Sequence, residues 1–239
     1  MSPRRKTRVT LLPLLLVALA RPAAAQQPEE PGVYKGRRIA NVMSYAGAPW
    51  LERSDREDEE APAKLIAKLA VQPGQNIADI GCGSGYYSRR LAPLVAPTGK
   101  IYGVDIQPEM LRMLEEGARQ EGITNIVSVL SEPDDPKLPD GAIDWILLVD
   151  VYHELQNPEP MLRKMRDALS PTGRVALVEF RLEGDTAAHI RTEHRMSVEQ
   201  VLAEWKPAGF ELVELWEEMP TQHVFVFKKA EAIAAKPTE

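Results

Sequence analysis

Between Asn76 and Tyr87 the chain reads Asn-Ile-Ala-Asp-Ile-Gly-Cys-Gly-Ser-Gly-Tyr-Tyr, and no other stretch constrains the fold as much. A short apolar run with an acid near its end reads as a buried strand. Glycines then fall at every second position, Gly81, Gly83 and Gly85, and a helical pattern follows. A strand that passes through such a turn into a helix makes a ligand-binding corner. Glycine there reaches φ > 0, and without a Cβ it lets a ligand lie against main-chain atoms. The spacing narrows the choice of ligand. A dinucleotide fingerprint is G-x-G-x-x-G, whose third glycine lets the helix pack closely. Tyr86 stands at that third position, so NAD is the weaker fit.

Around this corner, strands and helices alternate. Periodicity predicts helices over 63–69, 84–94, 108–120 and 158–169, and strands over 100–105, 125–130, 143–149 and 174–180. The near-continuous apolar run 143–149 suits a strand covered on both faces. Ser197-Val198-Glu199-Gln200 resembles a capping box opening a helix to about Trp205. Two strands, 211–216 and 223–227, then follow in succession, so one of them runs antiparallel. The expected fold is α/β: a doubly wound, mostly parallel seven-stranded sheet with an antiparallel strand at its C-terminal end.

Composition bounds the rest. With 239 residues, 44% of them hydrophobic, the chain can bury one substantial core. Residues 1–25 have the features of a secretory signal peptide: Arg4, Arg5, Lys6 and Arg8, an apolar stretch from Val9 to Ala20, and Ala23-Ala24-Ala25 as a cleavage site. The expected product is exported, periplasmic or secreted, and begins at Gln26. Its apolar stretch is short of the ~20 residues that span a bilayer, so no membrane span is expected in the mature chain. Removing the five basic residues of that segment moves the formal charge from −6 to −11, which disfavours nucleic acid as a partner. Cys82 is the single cysteine, so no internal disulfide can form. Residues 26–61 read as a leader followed by an N-terminal segment around Trp50 that is either a surface loop or a flap over a cofactor. A single α/β domain is expected over 62–230 and a disordered tail over 231–239.

The Asp79-x-Gly81-x-Gly83-x-Gly85 run resembles the first motif of class I S-adenosylmethionine-dependent methyltransferases, and the paired C-terminal strands are similar to the end of that family's sheet. The resemblance covers roughly 62–228 and implies S-adenosylmethionine as cofactor and a small-molecule methyl acceptor. It places the cofactor's methionine part against Gly81, Cys82, Gly83 and Gly85, with Asp79 near the ammonium group. Asp105, followed by Ile106, stands after the second strand, where an acid can accept hydrogen bonds from both ribose hydroxyls. Glu132 and Asp134 compete for the adenine amino group, and Asp150 borders the methyl-donating sulfur. His153 is the candidate general base and Tyr152 its companion. A helix-capping role is equally open for both.

Glu179, Arg181, His189, Arg191, His194 and Arg195 fall at the end of the fifth strand and in the connection that commonly lines the acceptor pocket of this family. Convergence of His153, Glu179 and His194 on a metal is considered, but no close His-x-x-x-His spacing supports it, and no metal is expected. Two other readings remain: an exported protein that binds a nucleoside-like ligand without turnover, and a nicotinamide-dependent oxidoreductase. Export itself stands against the methyltransferase reading, because S-adenosylmethionine is made in the cytoplasm.

Overall fold

In the computed structural model residues 32–231 are described; the expected signal peptide and the start of the leader, and nearly all of the expected tail, lie outside the described residues. The first element is a hairpin of β1 (Val33–Tyr34) and β2 (Arg37–Arg38), turned through Lys35 and Gly36 at φ 46° and 85°. Positive φ at both central residues matches the twist of the strands they join. Three short helices follow: α1 (Ala48–Leu51), α2 (Arg56–Glu60) and α3 (Pro62–Leu69). The hairpin, α1 and α2 escape sequence reading because none is long enough to display a period.

The alternation then runs as expected through β3 (Ile77–Ile80), α4 (Tyr86–Val95), β4 (Ile101–Asp105), α5 (Pro108–Gln120), β5 (Ile126–Leu130), β6 (Ile143–Val149), α6 (Pro158–Ala168) and β7 (Leu169–Arg181). A two-residue β8 (Arg195–Met196), α7 (Val198–Trp205), β9 (Phe210–Trp216) and β10 (Gln222–Lys229) complete it. Seven strands lie in the order β5-β4-β3-β6-β7-β10-β9, and β8 adds a short eighth beside β7. Strands β3 to β7 are parallel to one another, whereas β10 is antiparallel to both β7 and β9. β7 starts five residues before the expected boundary, because Leu169 pairs with Ile143 before a register irregularity leads to the Trp145–Arg174 pair.

Side-chain alternation in the strands feeds two cores. Ile146, Leu148, Val175, Leu177, Phe225 and Phe227 face α6 and α7, where Trp205 stacks on Phe227 at 4.7 Å. Leu147, Ala176, Val178 and Val224 face the other way, toward α3 and α4. Ser197 caps α7 by accepting from the Gln200 amide at 3.1 Å, as its sequence pattern predicts.

The strand order places the site. From β3 the chain steps outward to β4 and β5, then returns to lay β6 against the other side of β3, so the order reverses beside β3 and a crevice opens at the carboxyl ends there. Residues 40–52 lie across that crevice. The Ala40 amide donates to the His153 carbonyl at 2.9 Å, the Tyr45 amide to Gln107 Oε1 at 2.8 Å, and Gln107 Nε2 back to the Met43 carbonyl at 2.9 Å. Ser84 Oγ donates to Glu52 Oε1 at 2.7 Å.

Candidate active site

A cavity of about 550 Å³ occupies the crevice. Its floor is the glycine turn. The amides of Gly81 and Cys82 both donate to the Val104 carbonyl, at 2.8 and 3.0 Å, which holds the turn against the end of β4. Gly81 has φ +69°, and a Cβ there would lie 2.2 Å from Val151 Cγ2; Gly83 has φ +54°, and its Cβ would meet Leu51 Cδ1 at 2.6 Å. Both positions favour glycine for backbone conformation, and at Gly81 the branched Val151 side chain also leaves no space for a Cβ, whereas the end of Leu51 at Gly83 can shift.

Asp105 ends β4 on the cavity wall, with Ile106 beside it. Its Oδ2 accepts from the Gly83 amide at 3.0 Å and its Oδ1 from the Gln107 amide at 2.8 Å. Burial raises its pKa, and these backbone donors oppose the rise. Ser131 and Glu132 line the same side, so Glu132 rather than Asp134 reaches the wall.

Asp150 follows β6 at φ +53°, a left-handed conformation rare outside glycine that turns the chain sharply over the strand end. Asp150 lines the cavity; its Oδ2 accepts from Gln222 Nε2 at 2.7 Å, whereas Oδ1 is buried with no protein partner. Burial, then the carboxylates of Glu60 and Glu179, push its pKa well above the ordinary value. Arg56 of α2 also lines the cavity; its Nε donates to Glu60 Oε2 at 2.7 Å and its guanidinium lies 4.2 Å from the Tyr86 ring centre.

On the far side, a 3₁₀ turn at Tyr152–Glu154 presents His153 and Glu154 to the cavity, and a second at Thr192–His194 presents His194. His153 Nδ1 lies 2.5 Å from Glu179 Oε2, and its Nε2 lies 3.0 Å from His194 Nδ1. Burial opposes protonation of His153, but the Glu179 carboxylate outweighs it and the pKa is raised. Burial, the His153 charge and Arg191 lower His194 to about 4, and burial lifts Glu154 to about 7 against the pull of His153.

Five expected site residues are placed elsewhere. Asp79 is turned away from the wall and accepts from Ser88 Oγ at 2.6 Å, tying the strand to α4. Cys82 is buried beneath the turn, and Gly85 caps α4 against Leu114. Tyr152 points into the core, where its hydroxyl donates to buried Glu204 at 2.7 Å and its ring packs 5.2 Å from Trp205. Exposed Asp134 is the fifth departure, its loop closing through the Glu132–Asp135 bridge instead.

Arg181 likewise turns outward to Glu217, and Glu179 stands behind His153. Glu154 takes the place that Glu179 was considered for: one ligand atom each from His153, Glu154 and His194 lie within 4.8 Å of one another, a convergence that spacing along the chain does not reveal. Sequence reading missed Arg56, Glu60 and Glu154. The i,i+4 spacing of Arg56 and Glu60 was the available signal for that pair.

A family model described as "Methyltransferase domain" matches residues 72–223. The chain belongs to the S-adenosylmethionine-dependent methyltransferase family. Among curated proteins it is similar to the ubiquinone/menaquinone biosynthesis C-methyltransferase UbiE of Ectopseudomonas mendocina, 29% identical over 121 residues, covering 50% of this chain and 47% of that one. The chain thus spans about half the length of the curated relatives it matches. In fold it resembles a SAM-dependent methyltransferase from Aquifex aeolicus, with TM-score 0.71 and 23% identity over 78% of this chain and 98% of that one. It also resembles the [4+2]-cyclase SpnF, with TM-score 0.60 and 17% identity over 71% and 80%. The architecture alone therefore names no reaction.

The residues present fit the methyltransferase cofactor. The turn leaves main chain open at Gly81 and Gly83, and Asp105 keeps lone pairs free beyond its two backbone bonds. The unpartnered Asp150 Oδ1 suits a cationic donor, since a buried acceptor without a partner is costly. No helix among the described residues is long and apolar enough to cross a membrane.

Proposed function

We propose that this chain transfers the methyl group of S-adenosylmethionine to a small-molecule acceptor by in-line displacement. One observation carries the reading: a single cavity joins the glycine turn and Asp105 on one side to His153, Glu154 and His194 on the other. The cofactor, when bound, supplies a methyl group already activated on a sulfonium. What remains for the protein is to align a nucleophile with it and exclude water, and holding the two reactants in contact is the main acceleration such a site can provide. Asp105 would hold the ribose, Glu132 the adenine side, and Asp150 the cationic methionine end. Residues 40–52 would cover the pair.

His153, Glu154 and His194 would hold the acceptor. Apolar Val42, Met43, Leu155 and Ile190 also line the cavity and favour an acceptor with an apolar body and one polar reacting atom. The role carried in the name of the similar UbiE proteins, C-methylation in quinone biosynthesis, is in keeping with such an acceptor. The acidic charge favours a small molecule over nucleic acid. Multiple-turnover formation of S-adenosylhomocysteine with a panel of phenolic and quinol acceptors tests the proposal. Tight binding of S-adenosylhomocysteine with no turnover on any acceptor would instead support the ligand-binding reading.

We also propose that the protein acts outside the cytoplasm, on the composition of residues 1–25. N-terminal sequencing of exported protein should read Gln-Gln-Pro-Glu-Glu. Retention of Met1 in a cytoplasmic pool would overturn it.

A further inference from the structure

We infer that His153, Glu154 and His194 form a binding site for a divalent transition-metal ion, of the zinc class, on the acceptor side of the cavity. Four observations carry the inference. First, His153 Nε2 and His194 Nδ1 face each other at 3.0 Å, and Glu154 Oε1 lies 3.8 Å from the same His194 nitrogen. Bonds of about 2.0–2.1 Å in a tetrahedral zinc site separate ligand atoms by about 3.3 Å, so small adjustments of three side chains would admit an ion.

Second, His153 is oriented as a ligand. Its Nδ1 is engaged by Glu179 Oε2 at 2.5 Å, and Glu179 Oε1 is held in turn by the Tyr152 amide at 2.9 Å. A carboxylate on one ring nitrogen fixes the tautomer and leaves the lone pair of the other to the metal. Third, the donor set of two imidazoles and one carboxylate suits zinc and its neighbours rather than magnesium or calcium, which prefer oxygen. Fourth, all three ligands line the cavity, so further coordination positions open toward the acceptor. The acceptor class that such an ion recognises has an oxygen or nitrogen donor at its reacting end.

The ion has one competitor within the chain. Arg191 Nη2 lies 2.7 Å from His194 Nε2, and a guanidinium can only donate. In that arrangement His194 carries its proton on Nδ1 and donates it to His153 Nε2. Metal binding needs His194 Nδ1 free and its proton on Nε2, so Arg191 must swing away. Its side chain is 72% exposed and has room to do so. Arg191 and the metal therefore exclude each other on His194.

The inference does not rest on the methyl-transfer proposal, and its test uses no cofactor. Untagged protein, stripped with chelator, is titrated calorimetrically with Zn²⁺ and spectroscopically with Co²⁺. One equivalent should bind, with Co²⁺ giving the intense visible bands of a four- or five-coordinate nitrogen-oxygen site. His194→Ala and His153→Ala should abolish it, with folding checked by circular dichroism. Glu179→Gln, which keeps the shape but loosens the orienting bond, should weaken binding roughly 10- to 100-fold. Arg191→Ala should tighten it. Absence of stoichiometric binding by the wild type, or binding that survives His194→Ala in a folded protein, would overturn the site. An Arg191→Ala affinity equal to or below that of the wild type would refute the competition.

Discussion

Replacing Asp105 tests the cofactor half of the cavity most directly. Each carboxylate oxygen already accepts one backbone amide, from Gly83 at 3.0 Å and from Gln107 at 2.8 Å. A carboxylate offers about four lone-pair sites, so two remain for the hydroxyls of a ribose. A hydrogen bond to a charged group contributes about 1.5–3 kcal/mol. Asp105→Ala should therefore weaken S-adenosylhomocysteine binding by about 3 kcal/mol, roughly a hundredfold or somewhat more.

Asp105→Asn separates binding from architecture. A single amide oxygen can satisfy one backbone N–H, and the amide nitrogen then faces the other donor, so the variant should also lose about 1–3 kcal/mol of stability. Titration calorimetry and urea unfolding read the two effects. A 2′-deoxy analogue of S-adenosylhomocysteine completes a cycle: it should bind wild type more weakly and lose on Asp105→Ala only the remaining 3′-hydroxyl bond, about half of the loss seen with S-adenosylhomocysteine, because both changes delete the 2′-hydroxyl bond. Full additivity of the two losses, or less than a threefold change on Asp105→Ala in a folded protein, would remove Asp105 from the ribose site.

Three further outcomes follow from the geometry. Gly81→Ala places a Cβ 2.2 Å from Val151 at a left-handed φ, and should destabilise by about 2–4 kcal/mol as strain and crowding combine; near-wild-type urea unfolding would show that the turn relaxes. Burial raises Asp79 to about 6 from 3.8, against its Ser88 hydrogen bonds, so its ionised form burdens the fold. Its cost is absent below about pH 4, grows as pH rises through this window, and reaches about 3 kcal/mol above it. Relative to Asp79→Asn, wild type should gain that stability on acidification from pH 7 to 4, and a pH-independent difference between the two would refute the assignment. Tyr152→Phe should cost about 1.5 kcal/mol of stability by removing the bond to Glu204, while leaving cofactor affinity and turnover unchanged; a loss of turnover at equal stability would return Tyr152 to the chemistry.

The features legible in the sequence are those written as local periods. The glycine turn, the acid twenty residues beyond Gly85, and the strand-helix alternation from 77 to 181 depend on neighbours in the chain, and the structure reproduces them. Side-chain direction at strand ends was not legible. Asp79 and Asp105 both sit at or near strand ends, yet one turns to Ser88 and the other to the cavity, and that difference is set by packing against α4. Tyr152 and His153 are adjacent, and a 3₁₀ turn sends one into the core and the other to the site. Arg56 and Glu60 sit in the run of charged residues from Asp55 to Glu60, which shows no apolar period, yet both are buried. His153 and His194 meet across 41 residues through the β7–β8 pairing, a relation no local spacing encodes.

The segment 40–52 lies across the crevice and is tied to both of its sides. It is fastened to Gln107 and Ser84 beside the cofactor wall, and to His153 and Glu154 beside the acceptor wall. These fastenings involve isolated bonds rather than a sheet ladder, so lifting the segment is far less costly than global unfolding. The same segment therefore borders both the cofactor wall and the acceptor wall. If the segment must lift for spent cofactor and product to leave, the rate at which it lifts would set an upper limit on the turnover rate.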